Sequence, residues 1–224
     1  MTFSLVGRCV RTGMLGVVVT SSSPAVAARC AWARARVGAV ATQNVTDPSL
    51  GQLVLERIAS GSPAAGALDE VMTSTPHAAF RQLVVIDSQG RTAAYSGTRT
   101  LGRHGSRAGT DCIAAGNLLA GDGVPEAMVR AFERHGEDHL ADRLLDAVRA
   151  GEAAGGEQGP VRSCGLLVVD EVAWPVTDLR VDWHDDPISE LGRLWELWHP
   201  LESDYVLRAT APAVAPSYGV PGDE

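Results

Sequence analysis

The chain opens on alternation. In "MTFSLVGR" the apolar Phe3 and Leu5 flank Ser4, which predicts a strand over Thr2 to Arg8. Termini are slack unless something ties them down, so a strand that begins at residue 2 is itself informative. A second strand is predicted over Met14 to Ser21, joined to the first by a turn in which Gly13 supplies the flexible position. "SSSPAVAARCAWARAR" reads as a polar loop passing into a short irregular or helical stretch, and Val37 to Gln43 as a third, buried strand. Two helices follow. Asp47 caps the first, Pro48 opens it and Gly61 stops it; Ser62 caps the second and Pro63 opens it, and it runs until Pro76. A hairpin turns at Ser88-Gln89-Gly90, and an Arg- and Gly-rich loop (Thr98 to Gly109) leads to the strand "DCIAAGN". Helices are predicted from Pro125 to His135 and from about Asp138 to Ala150. A glycine-rich break precedes the strands "SCGLLVVD" and "PVTDLRVDW", and Asp186-Pro187 caps a last helix through "ISELGRLWELW".

Antiparallel runs of strands separated by helix pairs do not suit a doubly wound parallel sheet, which needs one helix between consecutive strands. They suit an α+β, four-layer αββα sandwich: two stacked, mainly antiparallel sheets with helices outside. A single domain over 1–208 is expected, because a chain of 224 residues with 45% hydrophobic content holds ample core for one. Residues 209–224 are rich in Pro, Ala and Gly with little to bury, and a disordered tail is expected there.

Charge narrows the partners. A net charge of -8 argues against a phosphate-backbone ligand, so no nucleic acid is expected. No run approaches the roughly 18 apolar residues of a spanning helix, and no secretory leader is evident, which points to a cytoplasmic protein with no membrane partner. All 19 basic residues are arginine, which excludes Schiff-base lysine chemistry and a Walker phosphate loop. Cys9, Cys30, Cys112 and Cys164 stand far apart, and Cys9 and Cys164 read as small buried hydrophobes. "HGEDH" spaces His135 and His139 like two ligands on one helix face, but Gly136 breaks the helix and no third ligand is evident. Neither metal nor cofactor is expected.

The blocks "MTFSLVGR", "WARARVGAVATQNVTDPSLG", "AGNLLAG", "AAGGEQG" and "LLVVDEVAWPVTDLRVDWHDDPISEL" together resemble the signature of the bacterial family known as domain of unknown function 1028. They span residues 1 to about 199. The resemblance implies an N-terminal-nucleophile-hydrolase-like fold, in which the first residue of the mature chain begins a central strand. Two positions depart from the family pattern. Glu157, followed only by Arg162, stands where a basic, Asp-containing stretch is usual, and Ala115 stands where Gln is usual.

In that light Thr2 becomes the candidate nucleophile. Methionine aminopeptidases remove Met1 when a small residue follows, leaving a hydroxyl and an α-amine on one residue. An unperturbed α-amine has a pKa of about 7.7–8.0, so a useful fraction is neutral near pH 7 and can take the hydroxyl proton. The expected activity is amidohydrolysis of a small C–N amide. Gly116 and Asn117 are candidate oxyanion donors. Ser21, Ser22, Ser23, Thr42, Gln43 and Asn44 are candidates to line the substrate mouth. Arg34 is expected to influence the amine or to bind a substrate carboxylate. The alternative is a non-catalytic ligand-binding or scaffold protein of the same fold, and in either case a homo-oligomer is plausible.

Overall fold

The opening alternation forms β1 (Thr2–Arg8), which pairs antiparallel with β2 (Leu15–Ser21) on one side and β8 (Cys112–Asn117) on the other. The structure, a computed structural model, describes residues 1–222. With β7 (Gly105–Gly109), β9 (Ser163–Val169) and β10 (Thr177–Val181) these strands make a six-stranded sheet ordered β10-β9-β2-β1-β8-β7. Strands β3 (Ala31–Arg34), β4 (Gly38–Asn44), β5 (Arg81–Asp87) and β6 (Thr92–Ser96) make a second sheet in sequential order. Every strand pair in both sheets is antiparallel.

Period-two alternation sorts each strand into two faces. Phe3 and Leu5 pack outward against α4 (Val124–Arg134) and α5 (Leu140–Ala153), in a cluster with Met128, Phe132 and Leu144. α6 (Pro187–Trp198) joins this layer through Ile188, Leu191 and Trp195. On the far side, α2 (Ser49–Ala59) and α3 (Ala64–Ser74) cover the smaller sheet through Leu50, Val54, Leu68 and Val71. Between the sheets lie Val6, Val17, Val19, Ala39, Ala41, Val84, Ile86, Ile113 and Ala115. The result is the expected αββα sandwich.

The strand faces turned into the space between the sheets share a gradient. Each is apolar over most of its length and ends in polar residues on the same side of the molecule: Thr2 and Ser4 on β1, Ser21 on β2, Gln43 on β4, Gln82 on β5 and Asn117 on β8, all buried. That rim is where the chain begins.

Several local expectations are corrected. The stretch after Pro24, read as irregular or helical, contains a short helix, α1 (Ala27–Cys30), but then also β3, an edge strand of four residues that was not expected. The Arg- and Gly-rich loop contains β7, another edge strand and largely exposed, so no buried face had shaped its sequence. Ser62 does not cap α3, since its hydroxyl donates to Glu70 at 3.1 Å. The cap comes instead from Asp87, whose Oδ2 accepts from Ala64 N at 3.1 Å. A further helix, α7 (Glu202–Thr210), follows α6, and a short 3-10 turn over Pro212–Val214 lies beyond it. Residues 223–224 of the expected tail lie outside the described residues.

The two histidines of "HGEDH" go separate ways. His135 ends α4, while His139 caps α5 and pairs through Nε2 with the Glu202 carboxylate at 3.3 Å. Burial would raise the Glu202 pKa, but His139 and Thr177 outweigh it and hold it below the usual carboxylate value. Among the described residues no three His, Cys, Asp or Glu side chains gather as a metal site, and no helix is long and apolar enough to cross a membrane.

Candidate active site

The polar rim is built by register. Thr2 stands opposite Ser21 on β2 and opposite Asn117 on β8, so three of the candidate residues meet because three strands end together. Thr2 is only 6% exposed. Its Oγ1 lies 2.5 Å from the Met1 carbonyl oxygen and 3.3 Å from Ser21 Oγ. Ser21 Oγ donates to the same Met1 oxygen and is itself fixed by Ser23 N, which donates to it at 3.1 Å. Two hydroxyls therefore converge on one carbonyl.

Behind them runs a buried amide chain whose orientation can be derived. The Gly116 carbonyl can only accept, so Gln82 must turn Nε2 toward it, at 3.1 Å; the same nitrogen donates to Ser96 Oγ at 3.1 Å. Gln82 Oε1 then accepts from Gln43 Nε2 at 2.8 Å and from Asn117 Nδ2 at 3.1 Å. Gln43 Oε1 is left to accept from Ser4 Oγ at 2.7 Å. This chain crosses from one sheet to the other and fixes the Asn117 amide, whose Oδ1 is buried with no partner. The atom Asn117 has to spare is an acceptor.

Glu157 closes the rim. Leu118 takes a left-handed conformation (φ 52), strained for a leucine, as the chain leaves β8. Leu119 then bridges Glu157, while Ala120 N donates to Gly156 O and Gln158 N to Leu118 O, each at 3.0 Å. Glu157 is 5% exposed and neither carboxylate oxygen has a partner at hydrogen-bond geometry. Burial pushes its pKa up to about 7, opposed by the chain's α-ammonium and by the nearby Ser22.

The other predicted residues are placed elsewhere. Thr42 faces the α2 side, its hydroxyl 3.3 Å from Asp47 O. Asn44 serves the backbone, donating to Phe80 O at 2.5 Å and accepting from Leu101 N at 3.1 Å. Arg34 is exposed and pairs with Gly38, at the opposite end of β4 from Gln43, some ~17–20 Å along the strand. Ser4, Gln82, Ser96 and Glu157 belong to the rim without having been singled out as site residues. A polar residue at an inward position of an apolar strand, as Ser4 and Gln82 are, was the available signal. The larger clefts lie apart from Thr2: one of about 450 Å³ beside Arg8 and Asp111, at the far end of β1, and one of about 430 Å³ beside Asp69 and Tyr95.

Two antiparallel sheets stacked between helices, with the first strand central and its first residue on a polar rim, define an N-terminal-nucleophile-hydrolase-like fold. Within that class, the chain belongs to the Family of unknown function (DUF1028), whose model matches residues 2–191. It is similar to the crystal structure of a member of that family from Silicibacter pomeroyi, with 30% identity over 88% of each chain and a TM-score of 0.81. More remote likenesses are to Anbu (ancestral beta-subunit) from Yersinia bercovieri, at 11% identity, TM-score 0.39 and coverage of 91% and 96%. An Anbu (Gly-1) mutant from Hyphomicrobium sp. strain MC1 gives 12%, 0.43, and 98% and 100%. These say nothing about the site. No curated protein matches the chain significantly.

Proposed function

We propose that this protein is an N-terminal-nucleophile amidohydrolase that cleaves a small amide through Thr2 once Met1 has been removed. The observation that carries the reading is the convergence of Thr2 Oγ1 and Ser21 Oγ on one carbonyl oxygen. In the reaction the Thr2 hydroxyl attacks the amide carbon, and its proton passes to the Thr2 α-amine and from there to the leaving nitrogen. The Ser21 hydroxyl donates to the developing oxyanion, a task for which Asn117 is less suited because its spare atom is Oδ1. Asn117 instead accepts from the α-ammonium that forms. Gly116 contributes its carbonyl as the anchor that orients Gln82. Water then releases the acyl group from Thr2.

The mechanism requires a free amine on Thr2. Intact-mass analysis of the protein made in a bacterial host is expected to show a chain lighter by one methionine. Quantitative retention of Met1 would overturn the mechanism and favour the non-catalytic, ligand-binding reading.

A further inference from the structure

Met1 is an acyl group attached to the proposed nucleophile residue, and each of its parts faces a distinct neighbour. Its carbonyl oxygen receives the Thr2 and Ser21 hydroxyls. Its side chain lies over Gly159, where an added Cβ would come within 3.2 Å of Met1 Cε, so the missing side chain makes the floor. Its α-ammonium is close enough to Glu157 to favour the ionised carboxylate. Glu157 itself is pinned through the backbone at Leu118, Leu119 and Ala120, and its oxygens are buried with Ser22 nearby but no partner at hydrogen-bond geometry. A buried carboxylate that the fold does not satisfy is costly, and it is explained if something else supplies the donor.

When Met1 leaves, its place opens. An acyl group carried on Thr2 Oγ1 occupies nearly the same space as one carried on Thr2 N, because those atoms sit on adjacent carbons of one residue. We infer that the site takes α-aminoacyl amides with a free amine, with Glu157 receiving the substrate's ammonium group and Gly159 admitting an apolar side chain. This rests on the amidohydrolase reading and supplies its substrate class. The bonds balance: the Thr2 Oγ1–H adds to the acyl carbon, the C–N bond breaks with the proton going to the leaving nitrogen, and water cleaves the aminoacyl ester. The products are the released amine, an amino acid and a regenerated hydroxyl. A carboxylate on the acyl part would meet Glu157 and be repelled, and Arg34 is too far along β4 to offset this.

The test compares L-methionine p-nitroanilide with its N-acetyl derivative on Met1-free protein, wild type and Glu157→Gln, with β-lactone labelling of Thr2 in parallel. Glutamine keeps the shape of glutamate and removes a charge that burial opposes, so the variant folds, which thermal unfolding checks. Wild type is expected to prefer the free-amine anilide at least ~10-fold in kcat/KM, and Glu157→Gln to erase that preference chiefly through KM. The inference is overturned if wild type cleaves both anilides equally, if the preference survives in Glu157→Gln, or if Thr2 is labelled while neither anilide is cleaved. Absence of labelling at Thr2 would instead bring down the amidohydrolase reading beneath it.

Discussion

Asp87 and Glu157 are carboxylates buried to nearly the same depth, 1% and 5% exposed, and the protein treats them in opposite ways. Asp87, at the end of β5 away from the rim, accepts from Ala64 N, Gln89 N, Arg91 N and Arg91 Nε. Burial acts to raise its pKa, but the Arg91 guanidinium and the backbone donors overcome it and hold the carboxyl below its ordinary value. Glu157, beside the chain start, has no partner at hydrogen-bond geometry, and burial wins over the opposing α-ammonium and Ser22. Where a carboxylate serves the fold, the fold surrounds it with N–H groups. The bare one lies where the chemistry is proposed.

The hardest blow to this contrast is Asp87→Ala. It strips the cap from α3 and leaves the Ala64 N–H buried without its acceptor, so a loss of about 2–4 kcal/mol is expected in urea unfolding at pH 7. A loss below about 1 kcal/mol would mean that the four bonds are incidental.

The second test uses pH, because the two groups pull in opposite directions. Asp87, with a lowered pKa, stabilises the fold above the ordinary aspartate range, and that contribution disappears as the pH falls through its folded pKa. Glu157, raised from 4.5 to about 7, favours the fold while protonated, and this is lost as the pH rises from about 4.5 to about 7. The stability of Glu157→Gln relative to wild type should therefore grow across that window, by on the order of 2–3 kcal/mol, and level off above it. A difference independent of pH would show that Glu157 is already satisfied in the folded protein.

Arg34→Ala should do the least. The side chain is exposed at the far end of β4, so stability should move by no more than about 0.5 kcal/mol and turnover should be unaffected. A large fall in turnover would return Arg34 to the site.

Much of this was legible in the sequence, and the rest was hidden for physical reasons. Alternation or an apolar run found β1, β2, β4, β5, β6, β8, β9 and β10, because each has residues that must be buried. It missed β3 and β7, edge strands with short or exposed faces, and α7, which buries little besides Glu202. The strand endings "VVVTS", "VATQN" and "IAAGN" marked Ser21, Gln43 and Asn117, since an apolar strand turning polar marks where it leaves the core. Gln82 sits at a strand's beginning, and only the antiparallel pairing of β5 with β4 shows that a beginning on one strand meets an ending on the next. Arg34 was attractive by residue type alone, and register carried it away. Glu157 stood in a glycine-rich break whose role depends on a bridge to Leu119 that no local pattern contains.

The claim on which everything else rests is that Thr2 is the nucleophile, and peptide mapping after β-lactone labelling tests it most directly. Three of the four cysteines are poor competitors: burial holds Cys30 above its ordinary value and pushes Cys112 and Cys164 each up to about 12. At Cys9 burial acts to raise the thiol pKa, but hydrogen bonds from Thr12 and Arg11 hold it below its ordinary value, so Cys9 is the cysteine the mapping has to exclude. The account predicts a label on Thr2 of the Met1-free protein and none in Thr2→Ala, with the midpoint of thermal unfolding little changed. A label that persists in Thr2→Ala, on Ser21 or any cysteine, would contradict it.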